Sequence, residues 1–199
     1  MPIIIGICGK KFNGKDTFAD YFVNEHGFKK VSFGDSVKHS LQNIFGFSDN
    51  QLWGNEKETV DQYWNVSPRE MMQFFGTELM RIQLGDKFKN IGQNIWVMSL
   101  ERKLTDLLAK GYKKIIIPDI RFANEAEVIR KFNGTMIRII RENVNSSDAH
   151  TSENSSDEIV VDHTVENKTL DCLRDSCCKL YSNLLDTSKD VIPYIGVWD

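Results

Sequence analysis

The chain lacks the features that mark membrane, secreted and polymer-binding proteins. Its longest apolar runs, such as the three isoleucines at 115–117, have the length of a strand and are far too short to cross a bilayer. The four cysteines contain no C-x-x-C pair and suggest no disulfide framework. A net charge of −3 provides no broad basic surface for a nucleic-acid polymer. These absences predict a protein that needs neither a membrane nor a nucleic acid as partner.

Little at the amino terminus resembles a targeting signal either. The first residues enter a strand-like run directly, without a charged leader, an apolar stretch and a cleavage site. We therefore expect a cytoplasmic protein, in the host cytoplasm if the chain is viral. With 199 residues and 41% hydrophobic content, the chain suits one compact domain over residues 1–199.

The most informative stretch present is GKKFNGKDT, from Gly9 to Thr17, which matches the phosphate-binding spacing G-x-x-x-x-G-K. It follows an apolar run and precedes a helical pattern, and this order of strand, loop and helix is the context that a P-loop requires. Backbone N–H groups and a helix N-terminus converge there on an anion, while Lys15 reaches the outer phosphates as a point charge. The alternative, a glycine-rich turn that binds nothing, leaves the register of both glycines and the lysine unexplained.

Asp16 stands where a P-loop normally has Ser or Thr. The usual hydroxyl is a ligand of Mg²⁺, and a carboxylate is also an oxygen ligand for a hard cation, directly or through a water. Thr17 still offers a hydroxyl to an inner phosphate. The loop therefore predicts a nucleotide site with a more negative metal pocket.

Strand-like and helical patterns alternate along the chain. Apolar runs fall at about residues 2–8, 29–33, 114–118, 135–141 and 158–162, with helical patterns ending near Gly27 and spanning about 35–45, 67–84, 95–110, 123–132 and 169–185. This alternation predicts an α/β fold with a mainly parallel sheet. Residues 46–66 lack element signals. Residues 142–157 are polar and rich in Ser and Asn, which is typical of a closing lid or of a surface loop.

A second part of the site is expected at the end of the third strand, which runs through isoleucines into Asp119. Ligands of doubly wound sheets bind at the carboxyl ends of strands, so Asp119 and the Gly9–Lys15 loop should share one edge. In P-loop proteins such an aspartate organises Mg²⁺ or its waters. The alternative is a turn aspartate that caps the following helix. Arg121, two residues on, is either a phosphate ligand or a surface ion-pair partner.

Phosphoryl transfer requires positive charge from several directions, because the transferring group carries charge on all its oxygens. Arg69 lies in the first turn of a helix opened by a capping box, where the helix N-terminus favours an anion. Arg141 follows the fourth strand at the base of the lid and can swing toward a bound donor. The arginines expected to flank the cleft are Arg69, Arg81, Arg121, Arg138 and Arg141.

At this point the chain resembles a known family, the deoxynucleoside monophosphate kinases of bacteriophages and large DNA viruses, within the nucleoside-monophosphate-kinase-like P-loop fold. The stretches that carry the resemblance are GKDTFAD at 14–20, SFGDSVK at 32–38, SPRE at 67–70 continuing to FGTE at 75–78, DIRFANE at 119–125 and HTSE at 150–153. They span nearly the whole chain in the expected order, and an Asp after the P-loop lysine is usual in that family.

The resemblance implies a three-layer P-loop sandwich, with a five-stranded, mainly parallel sheet flanked by helices, an acceptor-binding helical region at about 34–90 and a lid at about 142–157. It also implies Mg²⁺-dependent transfer of a phosphoryl group from ATP to a deoxynucleoside 5′-monophosphate (dNMP), giving the diphosphate. The residues implied for ATP are Gly9, Lys10, Asn13, Gly14, Lys15, Asp16, Thr17 and Asn167, and those implied for the dNMP are Phe33, Asp35, Lys38, Arg69, Gln73 and Glu78. The catalytic group is Lys15, Asp119, Arg121 and Arg141, and the metal ligands are Asp16 and Asp119. Since this fold often pairs, a homodimer is a candidate assembly.

The chain also departs from the family pattern near its end. Glu166-Asn167-Lys168 stands where the family has an Asn-Asp-Gly turn near the donor adenine, which leaves the base contacts open. Two other functions remain as alternatives. One is another small-molecule P-loop kinase, of the dephospho-coenzyme A or phosphomevalonate type, and the other is a nucleotide-binding regulatory module without transfer chemistry.

Overall fold

A computed structural model describes residues 1–141 and 155–187 of the chain. Its sheet has five parallel strands in the order β2-β3-β1-β4-β5. The strands are β1 (Ile3–Cys8), β2 (Lys29–Lys30), β3 (Lys114–Ile120), β4 (Thr135–Ile140) and β5 (His163–Glu166). The predicted α/β class and the parallel five-stranded sheet are confirmed.

Helices cover both faces of this sheet. They are α1 (Lys15–His26), α2 (Phe33–Phe45), α3 (Asp49–Leu52), α4 (Pro68–Gln73), a π-helix (Phe74–Gln83), α5 (Leu84–Lys87), α6 (Ile95–Ala109), α7 (Ala123–Lys131) and α8 (Leu170–Thr187), with short 3₁₀ turns at Gly92–Asn94 and Ser155–Glu158. The helical patterns of the sequence are all found, within a few residues. The predicted helix at 67–84 consists of α4 and the π-helix that continues it.

The core lies on the two faces of the central strands. Consecutive isoleucines alternate between the faces, because side chains of a strand point to opposite sides in turn. Ile4 and Ile115 belong to the buried cluster under α6 and α7, whereas Ile5 and Ile116 belong to the cluster under α1 and α8. This continuous burial is typical of a parallel strand that is covered on both sides.

The expected fifth strand at 158–162 is wrong, because β5 is His163–Glu166. The apolar content of residues 158–162 favours a buried strand. In the structure, however, Ile159 is buried in a core cluster while Val160 is 72% exposed. Asp162 bonds to Met136 of β4 through both its backbone and its side chain. Its N–H donates to the Met136 carbonyl, and its carboxylate accepts from the Met136 N–H at 2.7 Å. Regular strand pairing with β4 begins at the next residue, His163.

Two segments without sequence signals have different outcomes. Residues 46–66 contain the short helix α3 and a single bridge between Asp61 and Val66. Of the predicted lid at 142–157, residues 142–154 lie outside the described part of the chain, and the rest begins the Ser155–Glu158 turn. Within the described residues, no helix is both long enough and apolar enough to span a membrane.

Candidate active site

The loop between β1 and α1 has the curvature that its glycines predict. Gly9 and Gly14 have φ angles of 138° and 94°, in the region that disfavours side chains. A Cβ on Gly9 would also collide with the carbonyl of Ile139, and one on Gly14 with the amide of Asn167. Both glycines are therefore required by backbone conformation and by space.

Lys15 lies across this loop. Its ammonium donates a hydrogen bond of 2.7 Å to the carbonyl of Lys10. The Lys10 side chain, which is 43% exposed, forms an ion pair of 3.3 Å with Asp157 in the turn that precedes β5. Two positive charges thus stand at the loop, which suits a polyanionic ligand.

Two other predicted donor-site residues, Asn13 and Asn167, connect the loop to the ends of β4 and β5. Asn13 and Asn167 are buried, with exposures of 5% and 7%. The Asn167 amide donates to the Asn13 carbonyl, and the Asn13 amide donates to the carbonyl of Ile139 at the end of β4, both at 2.9 Å. The contacts that the structure shows for both side chains are therefore with backbone carbonyls.

Asp16 is accessible at the start of α1, and its side chain is 81% exposed. One oxygen pairs with Lys30 of β2 at 3.1 Å, and Lys30 also bonds Asp20 at 3.0 Å. Burial alone would lower the pKa of Lys30, but the hydrogen bonds that its ammonium donates to Asp20 and Asp16 outweigh burial, and the pKa is raised. Lys30 therefore stays charged and holds Asp16 at the edge of the loop.

Asp119 lies at the carboxyl end of β3, at the same edge as the loop, and it caps a helix. Its two oxygens accept hydrogen bonds from the N–H groups of Phe33 and Gly34, at 3.0 and 3.1 Å, and from the hydroxyl of Ser32. The helix involved is α2, which is distant in sequence, and not the following helix α7. The N-terminus of α2 thereby fixes the Asp119 carboxylate at this edge of the sheet.

Arg121 lies just beyond β3, and its side chain is exposed. Its N–H donates at 2.8 Å to Glu125, a carboxylate whose side chain is only 3% exposed. The other Glu125 oxygen pairs with Arg81 of the π-helix at 3.0 Å, and Arg81 also lies over the ring of Phe122. Burial raises the pKa of Glu125 although its hydrogen bond from Arg121 and the charge of Arg81 oppose the rise. This buried carboxylate links the π-helix to the end of β3.

Lys38 of α2 lies near the end of β3. Its ammonium lies over the ring of Trp53, and the carboxylates that act on its charge are Asp35, Asp119 and Asp16, in decreasing order. Burial, followed by the neighbouring charge of Lys57, lowers the pKa of Lys38, while the carboxylates raise it. Helix α2, which lies in the predicted acceptor region, thus brings a cation close to the carboxylates at the end of β3.

The remaining predicted acceptor residues occupy varied positions. Asp35 accepts from the Ser32 N–H at 2.9 Å and lies 3.6 Å from Lys103. Arg69, 42% exposed, pairs with Glu58 at 2.9 Å. Gln73 and Glu78 are exposed on α4 and the π-helix. A π-helix of this kind is rare and is often found at functional sites.

Phe33 differs from the other acceptor candidates, because its side chain is 7% exposed and lies in a core cluster. It offers little area for stacking on a base. Its backbone N–H, bonded to Asp119, is the part that faces the site. Arg141, the last described residue before the gap, is exposed beyond β4.

Several residues of the site were not predicted. Ser32, Lys30 and Glu125 hold predicted residues in place, and Lys57 and Glu58 flank Lys38 and Arg69. Ser32 had a usable signal, since the pair Ser32 and Asp35 has the spacing of a capping box. Nothing in the sequence shows that Glu125 is buried.

Comparison with known proteins agrees with this geometry. A family model described as deoxynucleotide monophosphate kinase matches residues 42–176, more than half of the chain. A relative named as a deoxynucleotide monophosphate kinase, from Acanthamoeba polyphaga mimivirus, is 36% identical over 155 residues, which cover 76% of this chain and 80% of the relative. The deoxynucleotide monophosphate kinase of Enterobacteria phage T4 is 29% identical over 141 residues, 71% of this chain and 49% of the phage protein.

Solved structures show the same fold at low sequence identity. A sugar kinase from Janibacter sp. HTCC2649 has a TM-score of 0.51 at 13% identity, with 98% of this chain and 100% of that chain covered. The predicted P-loop kinase architecture is confirmed. The resemblance seen in the sequence is confirmed as well: the chain belongs to the deoxynucleotide monophosphate kinase family, and it is a kinase.

Proposed function

We propose that this kinase transfers the γ-phosphoryl group of ATP to a deoxynucleoside 5′-monophosphate, giving ADP and the deoxynucleoside diphosphate. The observation that carries the proposal is the position of Lys38. It belongs to the predicted acceptor region, yet it lies close to Asp119 at the end of β3: a Cβ on Gly34 would lie 3.8 Å from an Asp119 oxygen and 4.0 Å from Cε of Lys38. A cation at this junction suits two phosphate groups that meet face to face.

Each side of the cleft has a distinct task in this proposal. Lys15 and the N–H groups of the loop bind the donor phosphates, and Arg69 binds the phosphate of the acceptor. Lys38 then lies between the two and neutralises charge as the groups approach. The transfer needs no covalent enzyme intermediate. The rate acceleration therefore depends largely on aligning the acceptor oxygen with the γ-phosphorus.

The carboxylates present fit a magnesium ion. Asp16 offers an exposed oxygen donor, and Asp119 is a fixed carboxylate at the same edge of the sheet. Oxygen ligands and retained waters are what Mg²⁺ prefers. When bound with ATP, Mg²⁺ neutralises phosphate charge, and we assign Asp16 and Asp119 to hold the ion or its waters.

Arg121 and Arg141 are proposed to stabilise the charge on the transferring group. Both are exposed at strand ends beside the loop, so each is free to turn toward a bound donor. Exclusion of water is assigned to the predicted lid at 142–157.

The test is an acceptor panel. Formation of ADP is measured with ATP, Mg²⁺ and each dNMP in turn, with dephospho-coenzyme A and phosphomevalonate as competing acceptors. We expect ADP to form rapidly with at least one dNMP and not with the other two acceptors. Slow hydrolysis that no acceptor stimulates would instead indicate a regulatory module.

A further inference from the structure

The buried amides of Asn13 and Asn167 join three separate segments. Asn167 follows β5, and its side chain donates to the carbonyl of Asn13 in the phosphate loop at 2.9 Å. The Asn13 side chain donates in turn to the carbonyl of Ile139 at 2.9 Å. The N–H of Asn167 donates to the carbonyl of Ile140 at 2.7 Å. The loop is thus tied to the carboxyl ends of β4 and β5.

The same contacts continue to the catalytic lysine. The N–H of Asn13 donates to the carbonyl of Lys10 at 3.3 Å, and this carbonyl also accepts from the ammonium of Lys15. A displacement of Asn13 would therefore move the carbonyl that orients Lys15. Since both amides are over nine-tenths buried, water cannot easily replace the hydrogen bond from Asn167.

We propose that Asn13 and Asn167 are positioning residues, which fix the curvature of the phosphate loop so that its N–H groups and Lys15 face the donor phosphates. This inference rests on the proposed function, because it assumes a nucleotide donor at the loop. It differs from a contact with adenine. The amide of Asn167 is 7% exposed and is bonded to Asn13, and its nitrogen lies where a side chain on Gly14 would begin.

The two roles make different predictions. A positioning residue acts through the backbone of the loop, so its loss weakens every ligand that carries the same phosphates. An adenine contact affects only ligands that carry the base. Inorganic tripolyphosphate is therefore the informative probe, because it presents the three phosphates without a nucleoside.

The experiment compares Asn167→Ala with the wild type by calorimetric titration of ATP and of tripolyphosphate, in the presence of Mg²⁺. We expect both affinities to fall by the same factor, about tenfold, as one buried hydrogen bond to the loop is lost. The KM for the dNMP should stay within about twofold of the wild type, since the acceptor side keeps its own contacts. Asn24→Ala, at an exposed position of α1, is the matched control and should change neither affinity.

Asn13→Ala provides a second variant, and the double variant provides a coupling test. If the two amides act as one unit, the double variant should lose little more than either single variant. A loss confined to ATP, an equal loss for the dNMP, or no loss would each overturn the proposal. Because binding is measured without transfer, a wild-type chain that binds tripolyphosphate but forms no ADP with any dNMP would contradict the proposed function separately.

Discussion

The phosphate loop is held from within by buried amides, whereas Arg69, the residue proposed for the acceptor phosphate, is held by an exposed ion pair. On the donor side, Asn13 and Asn167 are nearly inaccessible and bond to carbonyls at strand ends. On the acceptor side, Arg69 pairs with the 72% exposed Glu58. Exposed ion pairs contribute little stability and exchange partners easily. We infer that the donor loop is preformed, while the acceptor residues rearrange around their ligand.

Replacing Lys15 by Ala is expected to have the largest effect on activity. Lys15 is the lysine whose ammonium lies across the loop, so kcat should fall by about 10²- to 10³-fold as stabilisation of the transferring phosphoryl group is lost. Steady-state assays of ADP formation measure this, with Lys113→Ala, an exposed lysine away from the cleft, as control. An activity within threefold of the wild type would contradict a preformed donor site built around Lys15.

Glu125 connects Arg81 of the π-helix to the backbone that follows β3, and Glu125→Gln tests this connection. The amide cannot satisfy two N–H donors and Arg81 together, so the free energy of unfolding should fall by about 2 kcal/mol. The pH dependence has a definite sign. The folded pKa of Glu125 is raised above its ordinary value of 4.5, so the unfolded chain loses this proton first and the wild type loses stability as the pH rises above 4.5.

The excess free energy of unfolding of the wild type over Glu125→Gln should therefore be greatest below pH 4.5 and smaller at pH 7. Urea unfolding of both proteins across this range measures it, and their other groups titrate alike. An advantage that widens with pH would show that the attraction of Arg81 outweighs burial. In that case Arg81 and Glu125 would form a buried ion pair that stabilises the fold through its charges.

The two sides also differ in how far the sequence predicted them. The donor loop is local, because its glycines, lysine and flanking strand lie within a short segment whose pattern is specific. The acceptor side depends on contacts between distant segments, such as Arg81 with Glu125. No periodicity reveals that a glutamate in α7 is buried, and the pattern of an amphipathic helix does not distinguish α from π.

One wrong prediction, the fifth strand, has a physical cause of the same kind. The apolar run at 158–162 favours a buried strand, but burial there is achieved by packing Ile159 without pairing to a neighbouring strand. The strand itself, His163–Glu166, has one buried residue, Val165, as an edge strand requires. Burial is equally invisible for Phe33, which packs into the core and presents its backbone N–H to Asp119.

Arg69→Ala should have a smaller effect that is confined to the acceptor. Loss of a charged hydrogen bond to the acceptor phosphate should raise the KM for the dNMP by about tenfold, with the KM for ATP unchanged. Glu58→Ala is the matched control: it removes the same ion pair but leaves Arg69 available. It should keep or lower the KM for the dNMP. If both variants raised that KM equally, the ion pair itself would be the functional element, and the acceptor side would be as preformed as the donor side.

The smallest expected effect concerns Lys38, and it appears only at alkaline pH. Burial, followed by the charge of Lys57, lowers the pKa of Lys38 from its ordinary value of 10.5, so the free enzyme loses this proton at a lower pH than an exposed lysine would. As the pH rises through that pKa, kcat/KM for the dNMP should fall, by roughly fivefold if the lost charge contributes about 1 kcal/mol.

The variant Lys38→Arg separates this effect from other alkaline changes, because a guanidinium keeps its charge throughout the range. Its pH profile should stay flat where the wild-type profile declines, whereas Lys113→Arg should follow the wild type. A decline shared by all three proteins would assign the titration to another group. If kcat/KM for ATP declined with pH in the wild type as well, Lys38 would act on the donor. The boundary between the donor side and the acceptor side would then lie within α2 and not before its first residue.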